Sequence, residues 1–561
     1  MLADVHFLLS DVLGETETYD DVLAGAAELC RDVLAPLNAP GDLAGAVWTD
    51  GAVSTPDGFR EAFRTFAAGG WIGLTAAPEH GGSGLPHLVG AVLEELQCAA
   101  NLSFSTYAGL TSSAYRAIAL HGDEEQKARL LPPLAQGTAT GTMCLTEAHA
   151  GTDLGLIRTR AEPDGTGRYR LTGQKIFITA GEHDLTDDIL HLVLARLPDA
   201  PAGTRGISLF AVPRRLPDGT RNGVTCISIE HKMGIRASAT CTMAFDGAAG
   251  ELIGEPHRGM RAMFTMMNAA RLGVGIQGLA LAQAAYARAA DYARERLQGR
   301  ALGGAARPDL EADPIIVHPD VRRTLLRIRS QVEGGRALAL WVAAEIDRAN
   351  AGDAAAQDLV ALMTPIVKAG LTDLASEATN LALGVFGGAG YIRETGMEQL
   401  VRDARITSIY EGTNGVQALD LVGRKLPDGA GRLLRRFFHP ATELLDEACA
   451  DERLADIAGP AREALHRLRR TTLWVASRGQ DDREEAGAAA SEYLRLFYLT
   501  ALGVLWVRMA RAALDRDDEF GAAKLATARF YAARVLPETS GLARQVTAGK
   551  ATVMELPAHL F

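Results

Sequence analysis

The sequence predicts a mostly α-helical protein with a central β domain: a helical domain, a small β-barrel, a helical bundle and a carboxy-terminal helical extension. Three observations carry this expectation. Apolar residues recur at helical spacing up to about residue 140 and again from Gly259 onward. Between Gly141 and Phe245 the pattern changes to short runs rich in β-branched and aromatic residues, punctuated by Asp-Gly, Gly-Thr-Gly and Asn-Gly turns. A chain of 561 residues also exceeds what one hydrophobic core holds, so roughly three or four packed units are expected. The divisions fall at 1–140, 141–255, 256–425 and 430–561.

In the first segment, Tyr19 to Val33 has helical spacing, and Ser54-Thr-Pro-Asp-Gly is a turn and start signal before a helix from Phe59 to Ala68. Pro78 to Pro86, with Gly81, Gly82 and Gly84, reads as a loop. Helical periodicity resumes over Leu88 to Ala100 and Ser112 to Leu120, and Asp123-Glu-Glu-Gln reads as the acidic first turn of a helix ending near Gly137. Strands are expected at Tyr169–Thr179, Ile189–Leu194, Ile207–Val212, Val224–Ile229 and Thr240–Phe245, in an antiparallel sheet or barrel. Met260 to Arg296, Pro319 to Ala349 and Ala354 to Gly384 are long enough for a bundle. Lys425-Leu-Pro-Asp-Gly-Ala-Gly marks a boundary, and Arg432 to Phe561 is again helical apart from a polar stretch, Ser477 to Glu485.

Composition narrows the function classes. The apolar fraction is 47% and the charged fraction 22%, which describes an ordinary globular chain. A net charge of −12 argues against general polyanion binding, and residues 430–561 hold nineteen Lys/Arg against eighteen Asp/Glu, so that segment is no polybasic tail. No run of eighteen apolar residues predicts a membrane span, and the acid-containing start, without a basic leader, does not read as a signal peptide. Six scattered cysteines without CxxC or metal-ligand spacing fit buried thiols in a reducing compartment, and no metal site is expected. A cytoplasmic location follows from these readings.

Gly273-Val-Gly275-Ile-Gln-Gly278 matches the GxGxxG pattern of dinucleotide-binding loops. That chemistry needs a preceding strand and a helix amino terminus aimed at pyrophosphate. Here the flanking residues are helical on both sides, so close helix packing by small residues is the better account.

Two other regions carry more information. One is Met143-Cys-Leu-Thr-Glu-Ala-His-Ala-Gly-Thr152 with Gly173-Gln-Lys-Ile-Phe-Ile-Thr179. The other is Val385-Phe-Gly-Gly-Ala-Gly-Tyr391, then Arg402-Asp-Ala-Arg405, then Ile409-Tyr-Glu-Gly-Thr-Asn-Gly-Val-Gln417. Together they resemble the acyl-CoA dehydrogenase family, from about residue 60 to residue 425, with helical, sheet and helical regions in the family's order. The carboxy-terminal extension, Thr55-Pro-Asp-Gly-Phe59 and Gly69-Gly-Trp-Ile-Gly-Leu74 look like the family's 3-methylmercaptopropionyl-CoA dehydrogenase branch.

The resemblance implies FAD held between sheet and helical domains. It implies contacts from Met143, Leu145, Thr146, Thr152, Phe177, Ile178, Thr179, Gln298, Thr413 and Gly415, with Gly387 and Gly388 beside the pyrophosphate and Arg296 reaching a neighbouring subunit's flavin diphosphate. Thr146 and Thr179 would donate to the ring's polar edge, where negative charge develops on reduction. Alone, they read equally well as strand residues. The Gln common in the family before the glycine run is replaced by Gly384, and the family's His-Gln pair appears as His318-Pro319. Thr152, Asn268, Arg271 and Gly412 would contact the acyl-CoA, and a helix–helix polar contact is a nearly equal reading of Asn268 and Arg271.

Glu411 is the implied catalytic base, a carboxylate that takes the weakly acidic α-proton of a thioester in a dried site. The alternative base position beside Arg271 is Ala270, which has no titratable group. The implied activity is α,β-dehydrogenation of a short-chain or methylthio acyl-CoA to a trans-2-enoyl-CoA, with an electron-transfer flavoprotein as acceptor and a homodimer, or a tetramer, as the assembly. An acyl-CoA oxidase, and a flavin-containing DNA-binding protein, are the competing readings; the near-neutral charge of the last segment speaks against the second.

Overall fold

A computed structural model describes residues 1–561. The chain packs as two compact units, Asp21–Gly273 and Met1–Asp20 with Val274–Phe561. Helix α1 (Leu2–Phe7) therefore belongs to the second unit, and α7 (Gly259–Glu295) supplies residues to both.

The first unit opens with α2 (Asp20–Leu29), α3 (Asn38–Ala44), a hairpin of β1 (Val47–Thr49) and β2 (Ala52–Ser54), and α4 (Phe59–Ala68). Helix α4 buries Phe59, Phe63 and Phe66 around Phe104 of α5 (His87–His121), with ring centroids 5.8–6.2 Å apart. The two periodic stretches expected near 88–100 and 112–120 are one helix of 35 residues. Its backbone leaves the helical region at Asn101, whose side chain accepts from Phe104 N at 3.0 Å and donates to Leu34 O at 3.3 Å. The kink thus keeps its polar groups satisfied. Helix α6 (Glu124–Gln136) starts on a capping box between Asp123 and Gln126 and ends at left-handed Gly137.

Seven strands follow: β3 (Ala139–Cys144), β4 (Arg160–Pro163), β5 (Tyr169–Thr179), β6 (Asp188–Arg196), β7 (Ile207–Pro213), β8 (Val224–Ile229) and β9 (Thr240–Ile253). Their order is β3-β6-β4-β5-β9-β7, with β8 paired to β9, and an added β6–β7 pairing closes a ring. The sheet is mixed rather than antiparallel. Strand β3 runs parallel to β6 from Ala139↔Asp188 to Cys144↔Val193, and β4 meets β6 in parallel at Arg160↔Arg196. The reason is visible in β6, where Ile189–Ala195 are all buried, as expected of a strand covered on both faces. Leu190, Leu192 and Leu194 pack against Ile118, Leu131 and Leu134, while Val193 and Ala195 pack with Phe210, Val212 and Phe245 on the other face.

The second unit is helical: α8 (Pro319–Asn350), α9 (Ala354–Val385), α10 (Met397–Thr407), α11 (Asn414–Asp420), α12 (Arg432–Cys449), α13 (Ala455–Asp481), α14 (Arg483–Ala513), α15 (Glu519–Arg534) and α16 (Glu538–Val546) join α1 and the later part of α7. The GxGxxG stretch lies inside α7. A Cβ at Gly275 would sit 3.2 Å from Val367 O, and one at Gly278 would sit 2.6 Å from Leu371 O, so the glycines serve the close approach of α9. The polar stretch after Ser477 narrows to one non-helical residue, Asp482, whose side chain accepts from Glu484 N and starts α14.

Helices α9 and α14 are long and apolar enough to cross a membrane, but 78% and 83% of their apolar windows are buried inside the protein. The segment Arg432–Phe561 packs in the same unit as the bundle. Its link to α1 is a buried charge knot: Asp4 accepts from both Arg336 and Lys524, Lys524 also donates to Glu333 at 2.7 Å, and Arg336 donates to Gln283 at 2.7 Å.

Gly278→Ala forces a methyl against backbone and should lower stability by about 1–3 kcal/mol. Gly459→Ala, on α13 with open space at its Cβ, should raise it by roughly 0.5–1 kcal/mol. Thermal unfolding followed by circular dichroism checks both, and equal shifts would contradict the packing account.

Candidate functional site

In the first unit the expected ligand residues gather where the loop after β3 meets the end of β5. Glu147 organises this edge. Its carboxylate accepts from Arg158 N at 2.7 Å, Thr159 N at 3.0 Å, Thr159 Oγ1 at 2.7 Å and Lys175 Nζ at 2.9 Å. Lys175, fully buried, also donates to Leu145 O at 2.9 Å, and Ile176 N donates to Thr146 O at 2.9 Å. Burial opposes the charge on Glu147, but Lys175 and the hydrogen-bond donors outweigh it and hold the carboxyl down at about 2. Neither Glu147 nor Lys175 was singled out from the sequence; their signal, a Glu and a Lys of opposite charge in two adjacent motifs, is legible only once the strands are paired.

The clamp has a visible result. Register between β5 and β9 shifts between Lys175 and Ile178, and Phe177 adopts φ +59° with 59% of its surface exposed. A bulky residue in the left-handed region carries strain, and such strain concentrates at ligand sites. Ile178 points the other way and is buried in the core at 2% exposure, so only its backbone is open to a ligand. Thr179 pairs with Thr240, Met143 lies on β3, and Leu145 and Thr146 are half-buried on the loop. Thr152 is exposed beyond the reciprocal Glu147–Ala150 backbone bridge. On α7, Asn268 is exposed and Arg271, one turn later, is buried.

In the second unit Arg296 directly follows α7, its backbone N donating to Tyr292 O at 2.8 Å and its side chain exposed. Gln298 is pinned by its backbone: N donates to Asp313 O at 2.9 Å, and its O lies 2.9 Å from His318 Nε2. Buried Asp313 is the centre of this loop, accepting from Ala301 N, Ala306 N and Arg307 N, and these amides hold its carboxyl well below the usual range. Beyond α9, Phe386 stacks on Tyr292 at 4.2 Å, which brings the glycine turn next to the end of α7. Gly387 has φ +59°, and neither Gly387 nor Gly388 has any atom within 4 Å of where a Cβ would stand. Backbone is therefore open to a ligand there.

Glu411 sits in the turn between α10 and α11. It has φ +55° and Gly412 φ +83°, two consecutive left-handed residues. Gln417 Nε2 donates to Glu411 O at 3.1 Å, and the Tyr410 hydroxyl donates to Gln277. Thr413 Oγ1 caps α11 by accepting from Val416 N at 3.2 Å, and Gly415 is exposed in the first turn. Glu411 and Gly412 are half-buried.

Four sequence profiles match in succession: "Acyl-CoA dehydrogenase, N-terminal domain" over residues 16–138, "middle domain" over 142–248, "C-terminal domain" over 257–426, and "Acetyl-CoA dehydrogenase C-terminal like" over 441–557. The chain is 44% identical over 549 residues to a 3-methylmercaptopropionyl-CoA dehydrogenase from Ruegeria pomeroyi, covering 94% of this chain and 92% of that protein. It belongs to the acyl-CoA dehydrogenase family. A butyryl-CoA dehydrogenase from Syntrophomonas wolfei is 34% identical, covering 95% of this chain and 92% of its own length. Among solved structures, an acyl-CoA dehydrogenase complexed with FAD from Bacillus anthracis shares the fold at TM-score 0.79, with 20% identity, over 98% of this chain and 91% of that one.

For this acyl-CoA dehydrogenase family member, Glu147→Ala strands the Lys175 ammonium without its counter-charge, which costs about 3–5 kcal/mol. The expected readout is faster amide hydrogen exchange in β5 and in the 143–152 loop, with α13 and α14 unaffected. Unchanged exchange in β5 would show that the clamp does not hold this edge.

Proposed function

We propose that this protein is an FAD-dependent acyl-CoA dehydrogenase that converts a short-chain or methylthio acyl-CoA to its trans-2-enoyl-CoA. The observation that carries this reading is the Glu411–Gly412 turn: a carboxylate on a strained, half-buried loop, followed by a residue without a side chain, in a chain of this family. The four segments 1–140, 141–255, 256–425 and 430–561 are proposed as its functional divisions.

Open backbone at Gly387 and Gly388 fits the close approach of a cofactor's diphosphate. In this reading Gly387 and Gly388 lie beside the diphosphate, and Arg296 supplies a guanidinium to the diphosphate of a neighbouring subunit. Met143, Leu145, Thr146, Thr152, Phe177, Ile178, Thr179, Gln298, Thr413 and Gly415 complete the cofactor contacts. FAD, when bound, supplies the hydride acceptor for the β-carbon. The protein's part is proton chemistry and orientation. Glu411 takes the α-proton, the Glu411 amide binds the thioester oxygen and acidifies that carbon, and Gly412 leaves room for the approach. Thr152, Asn268 and Arg271 hold the acyl-CoA.

The substrate after which the 44% identical relative is named supports a short or sulfur-containing acyl group. An electron-transfer flavoprotein as acceptor, a homodimer as the minimal assembly and a cytoplasmic location complete the reading.

Glu411→Gln should retain yellow flavin and bind acyl-CoA, while turnover falls about 100- to 10,000-fold; turnover within a few fold of the parent would remove Glu411 as the base. Arg296→Ala should lose flavin on dialysis more than it slows chemistry per bound flavin. Full FAD retention would contradict its diphosphate role. Rapid peroxide release in air without another acceptor would identify an oxidase instead.

A further inference from the structure

Lys368 lies on α9 with none of its surface exposed. Removing an ammonium from water costs several kcal/mol, and an apolar residue would fill a helical core without that cost. Its Nζ donates to Asn414 Oδ1 at 3.0 Å. Asn414 is a junction. Its amide nitrogen donates to the Asp373 carboxylate at 2.7 Å and to Ala369 O at 3.3 Å, and Thr372 Oγ1 lies 3.0 Å from that same nitrogen. With the ammonium on its oxygen, the amide can face Asp373 only through its NH2 group. Its backbone N donates to Ser408 O at 3.1 Å and so closes the turn that contains Glu411 and Gly412.

Glycine adopts the left-handed region freely, but Glu411 is strained there, and such a residue persists only where the surroundings hold it. Gln417 holds the turn from α11. Asn414 holds it from α9. We propose that Lys368, acting through Asn414, is a positioning residue for Glu411: the buried ammonium fixes the Asn414 side-chain amide to α9, and the residue so anchored closes, through its backbone N, the turn from which the Glu411 carboxylate reaches the α-carbon of an acyl thioester. This rests on the reading of Glu411 as the base.

The test uses full-length holoenzyme of the parent, Lys368→Met, Asn414→Ala and Glu411→Gln. Each is mixed anaerobically with butyryl-CoA, unlabelled or deuterated at the α-carbon, and flavin bleaching is followed per bound flavin. Both positioning variants should bleach about 10- to 100-fold more slowly, as a base displaced by about 1 Å would. Their α-deuterium isotope effect should exceed the parent's, and butyryl-CoA affinity should stay within about threefold. Bleaching within about threefold of the parent would overturn the proposal, and so would slower bleaching with an unchanged isotope effect. If Lys368→Met does not fold, Asn414→Ala, half-buried at the turn, decides by the same criteria. Glu411→Gln separates the two ideas: if it bleaches normally the base assignment fails, and if it is silent while the other two behave as parent, only the positioning role fails.

Discussion

The second unit depends on how closely other elements approach α9. Gly275 and Gly278 admit its backbone on one side, and on another Gly370 lies so near the Tyr498 ring that a Cβ would stand 2.1 Å away. Interiors packed to this density do not deform continuously, so a shift of α9 is felt by every partner. Its polar positions use the same rigidity. Glu377 accepts from Arg327 of α8 at 2.5 Å and from Arg495 of α14 at 3.2 Å, while Lys368 meets Asn414. The turn that carries Glu411 is thereby referenced to a buried core helix rather than to a surface loop.

The same design recurs in the first unit. The two residues strained outside glycine at the expected site, Phe177 and Glu411, each stand near a buried lysine that bonds to neighbouring chain: Lys175 to Leu145 O and Glu147, Lys368 to Asn414. A buried ammonium has no low-energy alternative partner in an apolar core, so it specifies one loop geometry more sharply than a neutral donor would. The cost is desolvation, and burial accordingly lowers the Lys175 ammonium from its ordinary value, against the pull of Glu147.

Much of this architecture was legible in the chain because local signals and burial agree. The Asp123–Gln126 start, the Gly137 stop and the long apolar periods of α7, α8 and α9 are short-range features that survive folding unchanged. The GxGxxG stretch could be assigned to helix packing because nothing strand-like precedes it. Strand pairing was less legible: Ile189–Leu194 announces a strand, but only the covering of both its faces makes it the parallel partner of β3. The continuity of α5 escaped because the apolar period stops at Ala100, just before Asn101, whose kink is bridged by Phe104 and Leu34 so that the helix runs on. Glu411, Gln298 and Phe177 were named by motif, yet Lys368, Asp313 and Glu147, which brace the turn, the loop and the strand edge around them, were not, since lone charges in helices and loops most often face solvent.

The knot around Asp4 has a consequence for how the molecule is made. The partners of this carboxylate are Arg336 and Lys524, so α1 cannot complete its docking until the chain has been made through Lys524, 520 residues after Asp4. At about 5–20 residues per second that wait lasts roughly half a minute to two minutes. Throughout it, the apolar side of α1, with Val5 and Phe7, stays without its native cover while residues 21–273 can already collapse. The apolar side of α1 is therefore covered late, when Phe520 and Lys524 come to pack on it.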